Sequence, residues 1–412
     1  MYDPPVSIRE INQQRILNLI RLQPGICRAE IVKQTELGKA TVSTIVSDFI
    51  DAGAVREVGT GEQHAPAGRR PVRLELDRQI RLAIGVELTG SEAIAVVTDL
   101  YAHPLQVVRY SLADASVETS VDLVVEVVDQ LMSGRDVSRL IGVGVGVPGP
   151  VDVSRQRVIQ AVNMGWFDVP LSSMLTERIG KQVTVVKRQN AGALGEVQHG
   201  IGKDRDNLLF ISVGVGIGCG IIVNGQLYEG RSGSAGEIGH ITVVPDGYRC
   251  NCGNYGCLET LASCPAIAVR AREKAREGRM TVLTDWTNGA LQSITGKMVV
   301  QAAGEGDPLA IETIQEAASH LGIAIANVIN LFNPAVVVVG GELLELGDLY
   351  LDPIREVVQQ RSLPVPLSSV EIVPSSLDDQ AAAIGAATLV IDEFFSLPNP
   401  FSDELGALDT NG

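Results

Sequence analysis

Aromatic residues are scarce in this sequence: seven Phe, seven Tyr and two Trp make up 4% of it. A core with so few large flat side chains has to be built from aliphatic and small residues. The 43 glycines and the 45% hydrophobic fraction fit an α/β protein with many tight strand-to-helix turns. Long apolar runs are missing as well. No stretch approaches the roughly 18 uninterrupted apolar residues of a membrane helix, so no membrane partner is expected. The opening residues, Met1-Tyr-Asp-Pro-Pro5, lack the basic-then-apolar pattern of a secretion signal, and a cytoplasmic location is the expectation. Net positive charge is also absent. At −16, the chain taken as one body would be repelled by nucleic acid. The acid is unevenly spread, however. Residues 1–80 hold 11 basic and 10 acidic side chains, net +1, and the rest of the chain carries net −17. Six cysteines are present, and Cys250, Cys252 and Cys257 fall within eight positions, a spacing that suits a metal better than disulfides. At 412 residues the chain suits two or three domains.

The less acidic head reads as helical. Ser7-Ile-Arg-Glu10 has the form of a capping box, and a helix follows to about Leu22, with Ile8, Ile11, Leu19 and Ile20 expected on one buried face. Pro24-Gly25 ends it. A short helix is predicted from Arg28 to Thr35, then a three-residue turn, then a third helix from Lys39 to about Ala52 with Gly53 terminating it. In that third helix Val42, Ile45, Val46, Phe49 and Ile50 repeat at three-and-four spacing, while Lys39, Thr41, Ser43, Thr44 and Ser47 fill the outer face. Short hydroxyl side chains let a helix sit deep in a major groove while bonding phosphates and base edges. Val55–Val58 and Val72–Leu76 alternate like two strands around a loop carrying Arg69 and Arg70, suited to a minor groove or phosphates. The order resembles a winged helix-turn-helix over residues 1–80. Arg28, Lys39, Thr41, Ser43, Thr44, Ser47, Arg69 and Arg70 are its candidate contacts to a double-stranded DNA operator.

From residue 81 the pattern changes to strands and glycine-rich turns. Arg81–Glu87 and Glu92–Asp99 form a hairpin; Ile141-Gly-Val-Gly-Val-Gly-Val-Pro148-Gly149 is a buried strand leading to a turn; Ile211–Gly220 reads as strands around a phosphate-cradling loop. Three such elements in this order, followed by Ser234-Ala-Gly-Glu237-Ile-Gly-His240 and Cys250-Asn-Cys252-Gly-Asn-Tyr-Gly-Cys257-Leu-Glu259, resemble the ROK family of bacterial repressors and sugar kinases. Gly340-Gly341-Glu342 and the Ala381–Ala387 segment extend the resemblance almost to the end. It implies an actin-like ATPase or sugar-kinase fold in two α/β lobes, at 81–190 and 191–379. A C-terminal helix at about 380–396 completes the first lobe, and 397–412 forms a disordered tail.

Three thiolates and a histidine within eighteen positions can close a tetrahedral zinc site from His240, Cys250, Cys252 and Cys257, structural because no position remains for water. In the family's kinases the residues matching Glu237, His240 and Glu259 hydrogen-bond sugar hydroxyls, and carboxylates suit paired hydroxyl donors. Asn163 is a further candidate for that pocket. Phosphoryl transfer also needs a carboxylate base beside the attacking hydroxyl. In ROK kinases an Asn-Asp pair supplies it. Aligned on Asn190-Ala-Gly-Ala-Leu194-Gly195-Glu196, that pair falls on Lys187 and Arg188, and an arginine cannot act as a base near neutral pH. Val215 stands where the family has a threonine, and Glu87-Leu-Thr89-Gly90-Ser91 replaces Asp-x-Gly-Gly-Thr.

The sequence therefore points to a sugar-responsive repressor of carbohydrate uptake or catabolism genes, not an enzyme, dimeric or a dimer of dimers by resemblance. Two cations at Lys187 and Arg188 raise the expectation of an anionic effector, a sugar phosphate or sugar acid, beside the alternative of a neutral sugar. The competing readings are a ROK sugar kinase with an accessory head and a repressor governed by a protein partner.

Overall fold

The computed structural model describes residues 7–60, 71–398 and 400–401. The head holds helices α1 (Ile8–Leu22), α2 (Arg28–Thr35) and α3 (Lys39–Asp51), and a three-stranded sheet of β1 (Ile26–Cys27), β2 (Val55–Thr60) and β3 (Val72–Leu76) in the order β1-β3-β2. The capping box forms: the Ser7 hydroxyl accepts from the Glu10 amide at 3.2 Å and the Glu10 carboxylate accepts from the Ser7 amide at 2.7 Å. The buried face of α1 is Gln13, Ile16, Leu17 and Ile20. Ile8 and Ile11, expected to be buried, are 79% and 44% exposed, because at 3.6 residues per turn they project from the opposite side of the helix.

The first lobe is a five-stranded sheet, order β10-β7-β4-β5-β6, from β4 (Leu82–Leu88), β5 (Glu92–Thr98), β6 (Pro104–Ser111), β7 (Leu140–Val147) and β10 (Val183–Lys187). Helices α4 (Val117–Met132) and α5 (Leu171–Ile179) and a small hairpin of β8 (Val158–Ala161) and β9 (Trp166–Val169) belong with it. Helix α6 (Arg188–His199) leads into the second lobe, whose sheet runs β13-β12-β11-β14-β15. Its strands are β11 (Leu208–Val213), β12 (Ile217–Val223), β13 (Gln226–Leu227), β14 (Val336–Gly341) and β15 (Glu371–Pro374). Its helices are α7 (Glu259–Ala262), α8 (Cys264–Arg276), α9 (Val282–Trp286), α10 (Gly296–Gly304), α11 (Pro308–Phe332), α12 (Asp348–Arg361) and α13 (Pro364–Leu367). Among the described residues no helix is long and apolar enough to cross a membrane.

The last helix, α14 (Ala381–Ser396), returns to the first lobe and is the element on which the parts meet. Its run of small residues lets backbones touch. A Cβ at Gly144 of β7 would lie 2.1 Å from the Ala386 carbonyl oxygen, and one at Gly385 would lie 1.7 Å from that of Ala191 on α6. Neither position admits a larger residue without pushing α14 away, from the sheet at Gly144 and from α6 at Gly385. The far end of α14 belongs to the head. Ile16, Leu17 and Ile20 share one apolar cluster with Ala387, Ile391 and Phe395. Around it, Asn18 donates to the Phe395 carbonyl at 3.2 Å, Gln14 to that of Ser396 at 2.5 Å, and Arg21 pairs with Asp392 at 2.5 Å.

Candidate functional site

The loop between β13 and α7 folds back on itself through bridges pairing Thr242 with Cys257 and Arg249 with Tyr255. Gly256 makes this possible: its φ is +65°, and a Cβ there would overlap the Val244 carbonyl. The fold-back gathers His240, Cys250, Cys252 and Cys257 so that their donor atoms all lie within 4.8 Å of one another. The Cys252 and Cys257 sulfurs are 3.7 Å apart, and Cys250 Sγ is 3.6 Å from His240 Nδ1. Zinc bonds of about 2.3 Å to sulfur and about 2.0 Å to nitrogen, at tetrahedral angles, give edges of about 3.8 Å between sulfurs and about 3.5 Å between sulfur and nitrogen. The donor set thus fits that ion. With Nδ1 turned to the cluster, His240 keeps Nε2 for a bond outside it.

Next to this cluster stands Glu259, the first residue of α7. Its Oε2 accepts from the Ile217 amide at 3.2 Å. Burial pushes its carboxyl up, opposed by His240. Gly216 lets the carboxylate approach the turn between β11 and β12: a Cβ there would meet Glu259 Oε2 at 2.8 Å and Asn163 Nδ2 at 3.6 Å. Asn163, from the first lobe, lines one cavity with Glu259.

Lys187 ends β10 with its side chain 2% exposed, and its ammonium lies 2.5 Å from Glu237 Oε1 and donates to the Ala235 carbonyl at 2.9 Å. Arg188 begins α6. Its Nη1 is 3.4 Å from Glu87 Oε1 on β4, and its Nη2 donates to Ser212 Oγ on β11 at 2.8 Å, so it joins the two lobes. Burial pushes the Glu87 carboxyl up and Arg188 pulls it back. Each of the two cations expected to favour an anionic effector already faces a carboxylate, Lys187 with Glu237 and Arg188 with Glu87. Lys187 positions Glu237 and has no exposed ammonium to offer a ligand.

On the head, Lys39, Thr41, Ser43, Thr44 and Ser47 are all exposed along one side of α3, opposite buried Val42, Ile45, Val46 and Phe49. Ile50, expected in that apolar stripe, is only half-buried. Arg28 is engaged with Glu57 at 2.9 Å. Arg69, Arg70 and most of the proposed tail lie outside the described residues.

Residues 83–393 match the ROK family. This chain belongs to the ROK family. Its relatives include the xylose repressor of Caldicellulosiruptor bescii, 32% identical over 397 residues that span 95% of this chain and 98% of the repressor. Among solved structures, a ROK family transcriptional regulator, a homologue of the E. coli MLC protein, covers 97% of this chain and 99% of its own at a TM-score of 0.81 and 28% identity. A ROK family glucokinase from Streptomyces griseus, in complex with glucose and AMPPNP, is 34% identical with a TM-score of 0.69, covering 98% of its own chain but 75% of this one. Head and body together are thus shared with a ROK regulator, and the body has the actin-like sugar-kinase fold. Sequence reasoning alone does not find Ser212, whose role depends on a partner 24 positions away, or Tyr248, which sits two residues before the first cysteine of the cluster and lines the cavity beside Glu259.

Proposed function

We propose that this ROK protein is a sugar-responsive transcriptional repressor of carbohydrate uptake or catabolism genes, without kinase activity, acting as a homodimer or dimer of dimers. The observation that carries the reading is Arg188. A kinase needs a carboxylate at that position to take the sugar hydroxyl's proton, and here a guanidinium is held by Glu87 and Ser212. Glu237, Glu259, His240 and Asn163 form the sugar-binding set, with carboxylate oxygens accepting from hydroxyls and Lys187 fixing Glu237. Lys187 and Arg188 already face Glu237 and Glu87, which favours a neutral sugar over a phosphorylated one there.

His240, Cys250, Cys252 and Cys257 would hold a zinc ion that supplies no chemistry beyond cross-linking the loop. The exposed face of α3 would read an operator with Lys39, Thr41, Ser43, Thr44 and Ser47, assisted by Arg28 and by Arg69 and Arg70. Closure of the lobes on a sugar would move α14, and α1 with it.

Incubation with ATP and a panel of neutral sugars tests the kinase half of the reading. No sugar-dependent ADP release is expected; turnover would assign the chain to the kinases.

A further inference from the structure

We infer that the effector is a disaccharide or longer glycoside, one ring on Glu259 and Asn163 and the next in a cavity between the metal-binding loop and α8. This rests on the sugar-sensing reading above. The cavity measures about 310 Å³, and Glu259 and Asn163 are among the residues that line it. Glu237 does not line it, so the cavity reaches one of the two proposed sugar-binding carboxylates and extends over Tyr248, Asn251 and Val269 without touching the Lys187–Glu237 pair. A single ring held by Glu237 and Glu259 together leaves it unfilled.

The walls have the chemistry of a sugar subsite. Tyr248 is 49% exposed, yet fixed in place: its hydroxyl donates to Glu273 of α8 at 2.9 Å. Val215 and Val269 offer exposed apolar surface, and Arg270 and Asn251 supply hydrogen-bonding groups. A pyranose has C–H faces that suit the electron-rich face of an aromatic ring and a rim of hydroxyls that need polar partners. An acyl or alkyl substituent would use the apolar wall and leave the polar groups idle. Val215 also bears on this, because a valine in place of the family's threonine turns the tip of the β11–β12 turn into apolar lining.

Calorimetric titration of the full zinc-loaded chain compares xylose with xylobiose, N-acetylglucosamine with diacetylchitobiose, and glucose with cellobiose. One disaccharide is expected to bind at least tenfold tighter than its monosaccharide. Tyr248→Ala should remove that gain and leave the monosaccharide Kd within twofold. Val269→Arg, which fills the cavity from α8 without altering the metal loop, should give the same split. Equal or weaker binding of every disaccharide, or an equal loss for both sugars in the two variants, would overturn the inference. If no sugar of either size binds, the sensing function itself fails and takes this inference with it.

Discussion

The guanidinium at position 188 serves its neighbours as a counter-charge, with Glu87 Oε1 3.4 Å from its Nη1. Glu87 is 8% exposed, and burial already holds its carboxyl above the ordinary range in spite of Arg188. Without the arginine it would rise further. Below the ordinary carboxylate range Glu87 is protonated in folded and unfolded chains alike, so Arg188→Met should cost little there. The wild type shares the loss that begins in that range, so the variant should fall behind it only as pH rises past the wild type's own raised folded value, by up to about 3 kcal/mol. Adding Glu87→Gln should restore most of it. Chemical denaturation at a series of pH values checks this; a loss independent of pH would show that Glu87 is not the partner that matters.

Element by element, legibility followed distance along the chain. The apolar stripe and polar face of α3 are readable because a helix displays its neighbours at three and four positions, and Val42, Ile45, Val46 and Phe49 are buried as that spacing requires. The spacing reading fails at Ile8 and Ile11, because at 3.6 residues per turn they fall on the side of α1 away from buried Gln13, Ile16, Leu17 and Ile20. The junction of α1 with α14 is invisible to periodicity, because Arg21 and Asp392 are 371 positions apart. That junction gives a prediction at its own scale. Replacing Gln14 and Arg21 by alanine removes two polar ties between head and body, each worth about 1 kcal/mol. Operator affinity and sugar affinity, measured separately, should each change by less than about threefold. The response of one to the other should shrink. Full retention of that response would place the coupling elsewhere.

For the molecule as a whole, the net charge of −16 misleads until the chain is divided, since the head carries +1 and the remainder −17. The metal cluster was legible because its ligands fall within eighteen positions, and its donor spacings then agree with a tetrahedral ion. The electrostatics of the candidate site were not legible. Lys187 and Arg188 read as two cations favouring an anionic effector, and only the fold brings Glu237, 50 residues on, and Glu87, 101 residues back, against them. The central claim is that a sugar bound between the lobes alters the hold of the head on DNA. Its most direct test is fluorescence anisotropy at one fixed salt concentration, titrating the full chain onto labelled duplex from the region upstream of its own and adjacent genes, with and without a sugar shown to bind the body. Operator Kd should change by at least fivefold, and operator DNA should change the sugar Kd by the same factor. An operator affinity unchanged at saturating sugar would contradict the account.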